Sequence, residues 1–149
     1  MRVYLAGPLF SLAERGFNEE LALKLEQECP SLEMILPQRH AAEICHEPNF
    51  CRDMFAFSIN AVETSHAVVA VLDGADADSG TCIEIGYARG KGKRVIGVRT
   101  DFRASEDRGL NLMVANSCSD LLVQSSETAT IDGLVRRIAN ALAAEASCR

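Results

Sequence analysis

Two carboxylates, Asp78 and Glu84, stand six residues apart in the stretch Asp78-Ser79-Gly80-Thr81-Cys82-Ile83-Glu84-Ile85-Gly86-Tyr87-Ala88. Such a pair can divide the work of breaking a glycosidic bond, one group acting as nucleophile and the other as acid. The stretch follows an apolar run, Ala67 to Leu72, of the right length for a buried strand, and a glycine-containing loop, Asp73 to Asp78. The order is therefore strand, loop, helix. A helix beginning near Thr81 puts Glu84 in its first turn, where unpaired amides and the helix dipole favour negative charge and keep a carboxylate ionised. In an open α/β sheet such a loop lies outside the carboxyl ends of the strands, where ligands bind. The same spacing also fits a capping box in which Thr81 bonds the Glu84 amide and Glu84 reaches back to Thr81. A cap stabilises without doing chemistry.

The surrounding elements follow from apolar spacing and chain breakers. Val3 to Ala6 reads as a short buried strand stopped by Gly7-Pro8. Leu12 to Glu28 reads as a helix, with Phe17, Leu21, Leu23 and Leu25 at helical spacing and Pro30 beyond its end. Glu33 to Leu36 is a second strand ended by Pro37. Residues 38 to 50 read as a loop with one helical turn. A helix from Arg52 to Thr64, with Phe55, Ile59 and Val62 on one face, leads to the strand at Ala67. Arg94 to Val98 and Leu121 to Val123 supply further strands, and Ile131 to Ala146 a last helix with Leu134, Val135, Ile138 and Leu142 on one side. Strands alternating with helices predict a single α/β domain, residues 1–149. Its sheet is doubly wound and parallel, Rossmann-like or flavodoxin-like, with about five strands and helices on both faces.

Composition narrows the function classes. The chain has 149 residues, 48% hydrophobic and 24% charged, as an ordinary globular protein does. Its formal net charge of −6, with basic residues scattered apart from Lys91, Lys93 and Arg94, argues against a nucleic-acid partner. No apolar run approaches a membrane span and the first residues lack a signal-peptide layout, so a cytoplasmic location is expected. Cys29, Cys45, Cys51, Cys82, Cys118 and Cys148 form no Cys-x-x-Cys pair and match no zinc spacing, Cys45, His46 and Cys51 included. They are read as reduced thiols, with Cys82 a small packing residue.

Asp78-Ser79-Gly80-Thr81, followed by Glu84-Ile85-Gly86-Tyr87-Ala88, resembles the signature of the nucleoside 2-deoxyribosyltransferase family. Tyr4-Leu5-Ala6-Gly7-Pro8-Leu9-Phe10 is similar to that family's first strand and turn, and Leu110-Asn111-Leu112-Met113 to a third segment. Three matches in order are more specific than any single motif.

The resemblance implies transfer of 2-deoxyribose from a deoxynucleoside to a free purine or pyrimidine base, without cofactor or metal. Glu84 is then the nucleophile that carries a covalent sugar intermediate, Asp78 assists protonation of the leaving base, and Tyr4 orients Glu84. Substrate contacts carry over to Gly7, Phe10, Ser58, Gly80, Asn111 and Met113, with Phe10 an aromatic wall for the base. Asn111 reaches the sugar 5′-hydroxyl from a neighbouring subunit in these transferases, which implies a homo-oligomer with shared sites. Each residue also has an ordinary structural reading. Tyr4 and Phe10 suit a core, Asp78 suits a loop or cap, Asn111 suits a cap, and Asp73 suits an Asp-Gly turn.

The sequence departs from the family in places. Ser58 stands where several members have Asp or Asn, which leaves base preference open, and His66 replaces a common Asp. Arg149 ends a tail unlike the terminal Tyr of some members, and Gln38 is a further candidate base contact. Water as acceptor makes the same chemistry a nucleoside or nucleotide N-glycosidase. A noncatalytic nucleotide-binding module is the reading of another class.

Overall fold

The computed structural model describes residues 1–101, 110–124 and 130–146. Its elements, in order, are β1 (Arg2–Ala6), α1 (Leu12–Glu28), β2 (Glu33–Ile35), α2 (Pro37–Ile44), α3 (Phe50–Thr64), β3 (Ala67–Val71), α4 (Ser79–Gly90), β4 (Arg94–Arg99), α5 (Leu112–Ser117), β5 (Asp120–Val123) and α6 (Ile131–Ala146). The five strands form one parallel sheet in the order β2-β1-β3-β4-β5. The chain winds one way from β1 to β2 and the other way from β3 onward. The flavodoxin-like switch point thus falls between β1 and β3, where their carboxyl-terminal loops diverge and leave a crevice.

Alternation along the strands sorts side chains onto two faces. Val3, Leu5, Val69, Val71, Ile96 and Val98 pack with Leu21 and Leu25 of α1 and Leu134 and Ile138 of α6. Tyr4, Ala6, Val68, Ala70 and Leu72 turn to the other face, against Ala61 and Val62 of α3 and Ile85 and Ala88 of α4. Strand β3 is buried throughout, which explains its unbroken apolar run. Tyr4 brings a polar tip into the buried part of the second cluster, pointing from a central strand toward α4.

Three expectations change. Residues 37–44 form a helix rather than a loop. Pro37 occupies its start, where the missing N–H has no helical partner to lose, and it is the one residue of the helix that is buried. Phe55 and Leu23, placed on buried helix faces by spacing, are 67% and 47% exposed. Helix α4 begins at Ser79, earlier than the expected Thr81, because Asp78 caps it. Cys148 and Arg149 lie outside the described residues.

Candidate active site

Glu84 and Tyr4 are far apart in sequence, but the Tyr4 hydroxyl donates a 2.6 Å hydrogen bond to Glu84 Oε1. Strand β1 supplies Tyr4 and helix α4 supplies Glu84, and β3 lies between them in the chain. The Ser58 hydroxyl, delivered by α3, stands beside both groups and opposes the upward pKa shift of each. Three elements therefore converge on one carboxylate.

Its electrostatics differ from the expectation of a first-turn, fully ionised group. With Asp78 as the cap, Glu84 lies beyond the first turn and is half-buried. Removal from water raises its pKa from the ordinary 4.5 to about 7. The Tyr4 hydrogen bond opposes that rise, the Asp78 charge adds to it, and Ser58 opposes it. The Tyr4 phenol is pushed far above its usual range, first by burial and then by the Glu84 charge. It stays protonated and can donate across the working pH range.

The Thr81–Glu84 capping box does not form. Asp78 Oδ2 accepts from the Thr81 amide at 2.9 Å and from the Thr81 hydroxyl at 3.1 Å, which frees Glu84 for Tyr4. Both cap bonds use Oδ2. Gly80 leaves room for this cap, since a Cβ there would stand 3.1 Å from Asp78 Oδ2. Gly7 permits a close approach as well: its Cβ would meet Val71 Cβ at 3.1 Å. Both glycines thus have packing reasons to be small. Asp78→Ala is expected to lower stability by about 1 kcal/mol through loss of the cap, whereas Asp78→Asn keeps an acceptor for Thr81. If Asp78 also handles a proton, both variants lose turnover alike, so denaturation midpoints compared with rates separate the two roles.

Phe10 lies at the tip of the β1–α1 loop, 73% exposed. That loop is pinned by Arg15, whose guanidinium donates to Leu9 O and Phe10 O, and by a capping box between Ser11 and Glu14. Gln38 spends its amide on α1, donating to Arg15 O at 3.0 Å and Glu19 Oε2 at 3.3 Å, and accepting from Asn18. Asn111 caps α5, its Oδ1 accepting from the Met113 amide at 2.8 Å, and Met113 is 69% exposed. A separate cavity of about 340 Å³ opens on the α1 side between Phe17, Asn18, Asp73 and Thr100, and Tyr4, Ser58 and Glu84 do not line it. Among the described residues no group of three or more His, Cys, Asp or Glu is arranged to hold a metal, and no helix is long and apolar enough to cross a membrane.

A family model described as Nucleoside 2-deoxyribosyltransferase matches residues 3–113, a span that holds Tyr4, Ser58, Asp78, Glu84 and Asn111. The chain belongs to this family. No curated protein matches it in sequence. Among solved structures it is similar to a conserved protein from Enterococcus faecalis V583, at 29% identity and a TM-score of 0.77, over 94% of this chain and 98% of that one. A 2-deoxyribosyltransferase from Bacillus psychrosaccharolyticus superposes at a TM-score of 0.70 and 16% identity, over 94% of this chain and 91% of that one. A CMP N-glycosidase from Clostridium botulinum gives 0.61 at 19%, over 93% and 97%. At such identities the last two share the fold. In this deoxyribosyltransferase family member the Tyr–Glu pair lies on the sheet face covered by α3 and α4.

Two features escaped the sequence reading. Ser58, expected as a substrate contact, also adjoins Tyr4 and Glu84. Asp73-Gly74 does turn the chain, with Gly74 at φ +113°, but Asp73 also binds the end of β4. The visible signal was Arg99, a charge closing an apolar strand.

Proposed function

We propose that the protein transfers a 2-deoxyribosyl group from a 2′-deoxynucleoside to a free purine or pyrimidine base, as a cytoplasmic salvage enzyme working through a covalent intermediate on Glu84. The observation that carries this reading is the half-buried Glu84, held by Tyr4 through one carboxylate oxygen, with Asp78 at the cap of the same helix.

In the first step a Glu84 oxygen attacks the anomeric carbon from the face opposite the base. The carbon–nitrogen bond breaks, and the base leaves with the electron pair and takes a solvent proton relayed through Asp78. In the second step a nitrogen of the incoming base attacks that carbon, the ester bond to Glu84 breaks, and the carboxylate is restored. The incoming base returns its proton to Asp78. Two displacements on opposite faces give retention. Tyr4 donates to the carboxylate throughout, fixing the direction of attack, and Phe10 offers a ring for the base to stack on.

The charge of the site favours a nucleoside over its 5′-phosphate. Asp76, Asp78 and Glu84 lie along the loop and α4, and among the described residues the nearby cations are committed, Arg15 to Leu9 O and Phe10 O, Arg99 to Leu72 O and Gly74 O. Among the described residues a phosphate there meets repulsion without a clamp. Ile83, Leu112, Met113 and Phe55 are exposed apolar residues on α4, α5 and α3, a surface that suits a second copy bringing Asn111 to its neighbour's site.

Incubation with deoxyinosine or thymidine, with and without adenine or cytosine, tests the reading by chromatography of all bases and nucleosides. A new deoxynucleoside formed only with acceptor is expected. Free base without exchange makes the protein a hydrolase, and reaction confined to 5′-monophosphates makes it a nucleotide N-glycosidase. No turnover with any of them leaves a binding module.

A further inference from the structure

Arg99 ends β4 and is 3% exposed, yet among the described residues its guanidinium has no carboxylate partner. Nη1 donates to Leu72 O at 2.7 Å and Nη2 to Gly74 O at 3.0 Å. The carboxylate of Asp73, between those two carbonyls in sequence, returns the favour to the other strand. Its Oδ1 accepts from the Thr100 amide at 2.6 Å and the Asp101 amide at 2.9 Å, and its Oδ2 bonds the Thr100 hydroxyl. Residues 72–74 and 99–101 are thus tied in both directions, side chain to backbone. Leu72 N also donates to Val98 O at 2.8 Å, so the tie begins where strand pairing ends.

A buried cation bonded, among the described residues, to carbonyls is a costly way to gain stability, which an apolar residue supplies more cheaply. Its gain lies in geometry: the guanidinium fork fixes two carbonyls at once and holds the turn at Gly74 in one conformation. Four residues after Gly74 the chain reaches Asp78, and α4 then carries Glu84.

We propose that Asp73 and Arg99 are positioning residues, a reciprocal lock that holds the β3–α4 loop so that Asp78 keeps its place relative to Glu84. The proposal rests on the transfer reading for its kinetic consequence and on the loop alone for its structural one. Neither residue touches the reacting atoms. The lock acts on the step in which Asp78 exchanges a proton with the base, so its loss lowers kcat by about tenfold to a hundredfold and leaves KM near the wild-type value.

The test combines steady-state base exchange with amide hydrogen exchange on Arg99→Met, Asp73→Ala and Asp73→Asn. Asparagine keeps an oxygen for the Thr100 and Asp101 amides and offers its NH₂ to the Thr100 hydroxyl, so Asp73→Asn is expected to recover most of what Asp73→Ala loses. In Arg99→Met and Asp73→Ala, the Ala75–Ala77 amides should exchange faster while Val68–Val71 keep their protection. Wild-type kcat in Asp73→Ala, unaltered exchange of the loop, or a uniform loss of protection across β1 and β3 overturns the lock. If the wild-type protein transfers no deoxyribose, the transfer reading fails, and loop exchange still decides whether the lock exists.

Discussion

Glu84→Gln is expected to abolish deoxyribosyl transfer, by about a thousandfold or more, and to make the protein more stable at pH 8. The first effect is loss of the nucleophile, since an amide of nearly the same shape cannot form the ester. The second follows from the raised pKa. Burial lifts Glu84 from 4.5 to about 7, so the folded state binds its proton more tightly than the unfolded chain does. The group therefore favours folding most below about pH 4.5. That contribution is lost as pH rises to about 7, above which the full penalty of a buried charge remains. At about 1.4 kcal/mol per pKa unit the penalty is on the order of 3 kcal/mol. Glutamine carries no charge and escapes it. Urea denaturation at pH 8 should show the variant more stable, and the difference should fade near pH 4. Equal stability at both values would mean that Glu84 is not buried as described.

Tyr4→Phe is expected to lower kcat/KM by about tenfold to a hundredfold and to move its acid limb to higher pH. The nucleophile must be ionised, so kcat/KM of the wild-type protein rises with pH through about 7, the value set by burial of Glu84. The Tyr4 hydroxyl stabilises the ionised form through its 2.6 Å bond to Oε1 and holds that pKa down. Removing it leaves burial and the Asp78 charge less opposed, and the limb shifts upward. Ser58 retains part of the stabilisation, which limits the loss. A pH–rate profile of both proteins with one deoxynucleoside checks this, and an unmoved limb means that Tyr4 does not govern the ionisation of Glu84.

The fold was largely legible because apolar runs and breakers fell where strands and helices end. The run from Ala67 and the stripe of Leu134, Val135, Ile138 and Leu142 both report burial directly. Helix α2 was illegible because it buries only Pro37 and is held by polar ties, Arg39 to Glu19 and Gln38 to Arg15 O. Local spacing misled at the site itself. Ser11-x-x-Glu14 and Thr81-x-x-Glu84 have the same pattern, yet only the first forms a capping box. At the second, Asp78 reaches the Thr81 amide first, and Glu84 faces a tyrosine from a strand distant in sequence. Which acid caps and which carries chemistry was a matter of tertiary contact. The pairing of Tyr4 with Glu84 came from family resemblance, whereas the Asp73–Arg99 tie had only a charge at a strand end to announce it.

The central claim is a covalent sugar on Glu84, and mass spectrometry of the protein quenched in acid during turnover tests it most directly. A 2′-fluorinated nucleoside is a suitable donor, because its electron-withdrawing substituent slows both displacements and lets the intermediate accumulate. The account predicts a mass increase of one fluorodeoxyribosyl group, located on the peptide that contains Glu84, absent in Glu84→Gln and discharged when a free base is added. Turnover of the natural donor with no adduct under any quench, or an adduct on another residue, would contradict it.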